Sequence, residues 1–248
     1  MIELKNMDQF DRMRTAGRIV AEVLEIMKEV IKPGVTTKEL DHLAEEHIRK
    51  CGAIPAFKGY NGFPATICTS VNEEVVHGIP SLRALKNGDI ISIDCGALFD
   101  GYYGDSAITL PVGQISSNDA KLMAVCEESL KRGIAQAWKE NRLFDISHAV
   151  QTCVEENGMS VVRDYVGHGI GRKMHEDPQI PNFGKPGRGP RLEVGMALAI
   201  EPMVNLGGYQ VETLEDKWTV VTKDRRASAH FEHTVAIMEN GPVILTRI

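Results

Sequence analysis

The chain of 248 residues has no run of about 18 uninterrupted apolar residues, the length a helix needs to cross a bilayer. Its opening stretch, Met1 to Arg14, is charged and has no apolar core, so it does not read as a secretory signal. Cysteine is scarce. Cys51, Cys68, Cys95, Cys126 and Cys153 are odd in number, widely spaced and free of any C-x-x-C pair. That argues against a disulfide framework or a zinc finger, and for a reducing, cytoplasmic setting in which these thiols pack as small hydrophobes. Basic residues are outnumbered, 28 to 34 acidic, for a net charge of −6. A general nucleic-acid binder needs a basic face, so that class is set aside. No Ser/Gly-rich linker divides the chain, which is long enough to bury about 70–75% of its unfolded surface.

What is present is patterned. Asn6 caps a segment in which Phe10, Met13, Ala16, Val20, Val23, Leu24, Met27 and Ile31 recur at helical spacing, closed by Pro33-Gly34. Thr36-x-x-Glu39 is a capping box opening a second helix that runs to Gly52. From Ala53 to Leu110, short runs of Ile, Val and Thr are broken by turn residues, as in strands. Ser117 to Trp138 returns to helical spacing, and Asp145 is placed as the cap of a fourth helix ending at Gly158. Strands then dominate to Ile248.

The order helix, helix, strands therefore occurs twice. Leu85–Asp94 aligns with Leu192–Glu201 at an offset of 107, and the helices ending at Gly52 and Gly158 align at 106. Two similar offsets imply two α+β halves, about 1–112 and 113–248, within a single catalytic domain and sharing one antiparallel sheet.

The repeat puts an acid at the same point in each half, Asp94 and Glu201, at the end of an apolar run. A second acid follows in each, Asp105 and Glu232. A four-residue loop around Leu98-Phe-Asp-Gly101 would set Asp94 directly opposite Asp105 across a hairpin. Like charges so placed need a cation or a proton between them. His168, between glycines in Val166-Gly-His-Gly-Ile-Gly171, would complete a set of one imidazole and four carboxylates. Four carboxylates balance two divalent cations, the usual device for activating water, and oxygen-rich ligands with one His suit Mn(II), Fe(II) or Co(II). Each residue alone has a plainer reading, as turn former, cap or surface pair. The repeated placement favours the joint one.

At these residues the chain resembles the bacterial type I methionine aminopeptidases, of the pita-bread fold. The resemblance spans almost the whole chain: Asn72-Glu-Glu-Val-Val-His-Gly-Ile-Pro80, Asp94-x10-Asp105, Gly167-His-Gly-Ile-Gly171, His175-Glu-Asp-Pro178, Ile200-Glu-Pro-Met203 and Phe231-Glu-His-Thr234. It implies removal of the initiator methionine from nascent chains with a small second residue. Asp94 would chelate one metal, His168 and Glu201 the other, and Asp105 and Glu232 would bridge both. A water or hydroxide between the metals would attack the methionine carbonyl, with Glu201 handling its proton. His175 would stabilise the oxyanion, and His77 would contact the nitrogen beyond the scissile bond. The methionine pocket would include Tyr60, Phe63, Cys68 and Trp218, with Phe57 and Met174 also at pocket positions; relatives often have Cys in place of Phe57, and Phe or Leu in place of Met174. Asn72 and Ser228 fall where relatives hold a monovalent cation.

The sequence opens directly on the first helix, without the Cys/His zinc-binding extension or large N-terminal domain expected of other branches, and the 33-residue interval from His168 to Glu201 leaves no room for a helical insertion. Each omission separates it from another branch of the fold. A proline-specific dinuclear peptidase and a non-catalytic binding protein of this fold are the competing readings. The second is opposed by the presence of all five ligand types. A monomer without nucleic-acid or membrane partners is expected, with ribosome docking an open possibility.

Overall fold

The computed structural model describes residues 2–248. The first half opens with α1 (Met7–Val30) and α2 (Thr37–Lys50), then β1 (Ile54–Pro55), β2 (Ile67–Val71), β3 (Glu74–Val76) and the hairpin β4 (Ile90–Phe99) and β5 (Tyr102–Pro111). The second opens with α3 (Ser117–Ala135) and α4 (Leu143–Glu156), then β6 (Ser160–Val161), β7 (Gly167–Gly169), β8 (Glu176–Ile180), β9 (Ala197–Ile200) and β10 (Met203–Asn205). It ends with β11 (Val211–Thr213), β12 (Val220–Thr222), β13 (Ser228–His230), β14 (His233–Met238) and β15 (Gly241–Ile244).

The helices start where their caps dictate. The Asn6 carboxamide accepts from Gln9 N–H while the Gln9 side chain accepts from Asn6 N–H, and Thr36 and Glu39 do the same for α2. One expectation is corrected in the second half. Asp145 is not the cap of α4 but sits in its first turn, accepting from Arg142 N–H at 2.7 Å. The apolar faces of α1 and α2 pack on β2 and β4 through Val20, Leu24, Met27, Leu40 and Ile48. Those of α3 and α4 meet two clusters around Leu122, Ile146, Val150, Leu198 and Val204.

Every strand pairing is antiparallel among the described residues. The offset seen in the sequence is a repeat of registers. Ile54 and Pro55 pair with Leu98 and Ala97, and Ser160 and Val161 pair with Asn205 and Val204. So β4 in the first half corresponds to β9 and β10 together in the second, where Glu201 and Pro202 interrupt the ladder. The two halves meet along β5. Ala107 and Glu232 exchange both backbone hydrogen bonds, at 2.9 and 3.4 Å. On either side of them, the Thr109 hydroxyl accepts from His230 N–H, and the Thr234 hydroxyl accepts from Asp105 N–H. The fold is α+β, of the pita-bread type, with helices outside and the joined sheets at the centre. No described helix is long and apolar enough to cross a membrane.

Candidate metal centre

The acids of the first half come from one hairpin, and its turn sets their relation. Asp100 (φ 47°) and Gly101 (φ 78°) are both left-handed, as a two-residue primed turn requires. Phe99 thus pairs with Tyr102, Asp94 with Ala107, and Asp105 with Gly96. Asp94 and Asp105 are diagonal neighbours on one face, not the direct opposites that a four-residue loop would have made them. Diagonal side chains still meet, close enough for the charge of Asp94 to add to burial in pushing the pKa of Asp105 up.

In the second half the direct opposition does occur. Ile200 pairs with His233 and Met203 with His230. The same register carried through the gap sets Glu201 across from Glu232. Pro202 has no N–H for a ladder, and the Glu232 backbone is committed to Ala107 of the first half. The local opening lets both glutamates turn into the centre.

His168 arrives on β7. Its flanking glycines are required by close backbone contact: a Cβ at Gly169 would stand 2.1 Å from Asp177 O, and one at Gly167 2.4 Å from Ala199 O. The ring Nδ1–H donates to Gly169 O at 2.9 Å. That leaves Nε2 with its lone pair facing Glu201 Oε1 at 3.5 Å and Asp105 Oδ2 at 4.0 Å. Burial holds this imidazole neutral, its pKa lowered to about 3.

Electrostatics show what is missing between these groups. Burial, then mutual repulsion, pushes Asp105 and Glu232 well above the carboxylate range; Glu201 follows for the same reasons, and burial takes Asp94 up to about 7. Asp94 Oδ1, Asp105 Oδ1 and Glu232 Oε1 are buried without any hydrogen-bond partner. No Lys or Arg is among the residues lining the cavity. Ligand atoms of Asp105, His168 and Glu232 all lie within 4.8 Å of one another. Uncompensated acids at that density, beside an unprotonated imidazole nitrogen, fit divalent cations.

The cavity above them measures about 270 Å³. Phe57, Tyr60, Phe63, Cys68 and Trp218 form its apolar walls, with His77 and His175 between wall and acids. Met174 is not in the lining; it stands behind Phe57, and both would clash at 2.7 Å with a Cβ on Gly96. Phe63 and Trp218 pack edge to face with centroids 5.2 Å apart. His175 is stacked on Tyr60 and hydrogen-bonded to its hydroxyl at 2.8 Å, with His168 4.2 Å away on its other flank. His77 sits at φ 61°, an uncommon conformation for a side-chain-bearing residue, and its ring meets Tyr165 and Trp218 edge-on. Desolvation lowers the pKa of both histidines, that of His77 to about 4.

The five expected ligands, both histidines and four of the expected pocket residues therefore converge on one cavity, with Phe57 beside them. Asn72 and Ser228 also meet, Ser228 N–H donating to Asn72 O. Their side chains are spent on protein partners, Asp89 and Ile90 for one, Val204 and Asn205 for the other. One further neighbour stands beside the acids. Buried His230 has its Nε2 3.8 Å from Glu201 Oε2 and no hydrogen-bond partner there. Its only sequence signal was its place two residues before Glu232.

A pita-bread fold with an oxygen-rich, imidazole-containing metal cavity beneath an apolar pocket defines a metallohydrolase. Residues 11–239 match metallopeptidase family M24, and the chain belongs to that family. It is similar to "Methionine aminopeptidase 1" of Bacillus subtilis, 61% identical over 248 residues and 100% of both chains. It is 59% identical to "Methionine aminopeptidase" of Clostridium perfringens, again over 100% of each. The crystal structure of methionine aminopeptidase from Thermotoga maritima superimposes with a TM-score of 0.99, at 48% identity and 100% coverage of both. The family read from the motifs is thus borne out over the full length of the chain.

Proposed function

We propose that this chain is a methionyl aminopeptidase that removes the initiator methionine from nascent proteins with a small second residue, as one catalytic domain built of two similar halves. The observation that carries this reading is the convergence of His168 with four uncompensated carboxylates at the floor of a pocket walled by aromatic rings and Cys68.

Asp94, Asp105, His168, Glu201 and Glu232 would hold two divalent ions, drawn from Co(II), Mn(II) and Fe(II). Such ions supply Lewis acidity and make water nucleophilic at neutral pH. The protein's own groups do the rest. The apolar walls accept an unbranched methionine side chain by exclusion of water and by sulfur–aromatic contact. The position of His175 at the cavity mouth, its Nδ1 held by Tyr60, leaves Nε2 to hydrogen-bond the substrate carbonyl and the negative charge that develops on its oxygen. His77 is placed to orient the peptide nitrogen. Glu201, raised in pKa by burial and by Asp94, is suited to take and return a proton between water and the leaving amine. The pocket's limited volume, once the methionine is seated, favours a small next residue. We place the enzyme in the cytoplasm as a monomer, acting on chains as they emerge from the ribosome.

The test is release of methionine from Met-Ala-Ser by protein treated with a chelator and then resupplied with Mn(II), Fe(II) or Co(II), with an Xaa-Pro dipeptide in parallel. Metal-dependent release of methionine and no Xaa-Pro cleavage is the expected result. Cleavage of Xaa-Pro in its place would transfer the reading to a proline-specific peptidase, and no turnover with any metal to a binding protein.

A further inference from the structure

A second cluster of metal-ligating side chains lies away from the cavity, on the helix pair of the first half. Glu22 projects from α1; His47 lies in the last turn of α2 and Cys51 is its C-cap residue, four positions on and so on the same helical face. The three ligand atoms form a closed triangle. His47 Nε2 is 2.9 Å from Glu22 Oε2, Cys51 Sγ is 3.8 Å from the same oxygen, and Sγ is 3.5 Å from Nε2. Glu22 presents one oxygen to this triangle while Arg18 holds the other at 3.6 Å. All three residues are half-buried, fixed by the helices yet reachable from solvent. None of them lines the catalytic cavity.

The triangle can be compared with a tetrahedral zinc ion. Bond lengths of about 2.3 Å to sulfur and 2.0–2.2 Å to nitrogen or oxygen require edges of about 3.4 Å (N to O) and about 3.6 Å (S to O and S to N). Each observed edge lies within roughly half an ångström of that value, a change that side-chain rotation supplies. One thiolate, one imidazole and one carboxylate is a donor set that suits Zn(II), unlike the thiolate-free set of the cavity. Three protein ligands leave the fourth position, on the solvent side, for water.

We propose that Glu22, His47 and Cys51 form a Zn(II) site that clips the last turn of α2 to α1, separate from the catalytic metals. Binding replaces the Cys51 S–H proton, and any proton on His47 Nε2, with the cation; the released protons go to solvent. Without the ion, burial and the Glu22 charge keep the thiol pKa above its ordinary value, so Cys51 stays a thiol until a cation arrives. The proposal does not depend on the peptidase reading.

The test uses the full chain with Co(II) as spectroscopic probe. Chelator-treated protein titrated with Co(II) should develop a thiolate-to-cobalt charge-transfer band whose final intensity matches one thiolate-bound Co(II) per chain, whatever the cavity also takes up, and which is bleached by Zn(II). Cys51→Ser should abolish the band, Cys68→Ser should retain it, and His47→Ala should weaken its Co(II) affinity about 10-fold or more. A second measurement needs no variant: Zn(II) should protect Cys51 of the wild-type chain from iodoacetamide, read by peptide mass spectrometry. Absence of the band, its persistence in Cys51→Ser, an unchanged affinity in His47→Ala, or alkylation of Cys51 indifferent to Zn(II) would each overturn the site.

Discussion

The two halves share a backbone plan and differ where the chemistry is. In the first, β4 runs unbroken through Asp94 and pairs with β5, and its acids are short and diagonal. In the second, the equivalent ladder opens at Glu201-Pro202 and Phe231-Glu232, and its acids are longer and opposed. The register makes Glu201 the counterpart of Asp94, but the counterpart of Glu232 is Ala107, its own backbone partner. Asp105, paired with Gly96, corresponds to His230, paired with Met203, so the first half has an acid where the second has an imidazole. The second acid of each half is thus not a copy of the other. A duplicated frame supplies two anchoring positions, and the remaining ligands are placed by what each half does to its own strand. The division continues above the acids: the first half contributes most of the pocket wall, the second contributes His168, His175 and Trp218.

The largest effects should come from the acids that the repeat does not equate. Asp105→Ala or Glu232→Ala should lower methionine release about a thousandfold or more, several kcal/mol of lost transition-state stabilisation. The metal-free protein should respond oppositely. Asp105→Asn removes a buried like charge from the cluster, so its metal-free form should melt above metal-free wild type in calorimetry. If Asp105 variants retained turnover, the first half would be a scaffold and not a contributor.

His175→Ala tests the second half's share. It should cut kcat by about 10²–10³, the typical cost of one donor to an oxyanion, while metal content measured after dialysis stays at the wild-type level. Packing separates the halves too. A Cβ on Gly104 of β5 would strike the α1 backbone, 2.6 Å from Gly17 N, whereas one on Gly133 of α3 meets the Val150 side chain at 2.8 Å. Gly104→Ala should therefore cost about 3 kcal/mol in chemical denaturation, and Gly133→Ala about 1 kcal/mol, because a side chain yields where backbone does not.

The smallest effect sets the carboxylates against the imidazoles. The acids are raised by burial, so their stabilising contribution is complete below their unfolded values and is lost as pH rises, for Asp94 through about 7. His77, His168, His230 and His233 are lowered, to about 4, 3, 3 and 4, so theirs is present above about pH 6.5 and is lost as pH falls. Above about pH 7 the histidines are neutral whether folded or not, and of the groups in the metal cluster only the acids still titrate. The metal-free protein should lose melting temperature from pH 7 to 9, and Mn(II) should flatten that slope.

Much of this was legible before the structure, for local reasons. Asn6 and Thr36 announce their helices because a cap is a contact over three residues. The offset of the repeat is visible because the apolar run before each acid has the same spacing. The hairpin register was not, because Leu98-Phe-Asp-Gly101 admits a two- or a four-residue loop, and only the paired positive φ of Asp100 and Gly101 decides. Asp145 reads as a cap because an acid three residues into a helix and one at its start look alike in sequence. His230 and the place of Met174 depend on contacts between distant elements, to which spacing is blind.

The central claim is that five side chains from two unequal halves hold the ions that hydrolysis needs. Its most direct measurement is a titration of chelator-treated protein with Mn(II), following bound metal and methionine release together. Turnover should be absent without metal and rise with the ions bound in wild type, and both should fail together in Glu232→Ala. Full turnover in the metal-free protein, or in Glu232→Ala, would contradict the account.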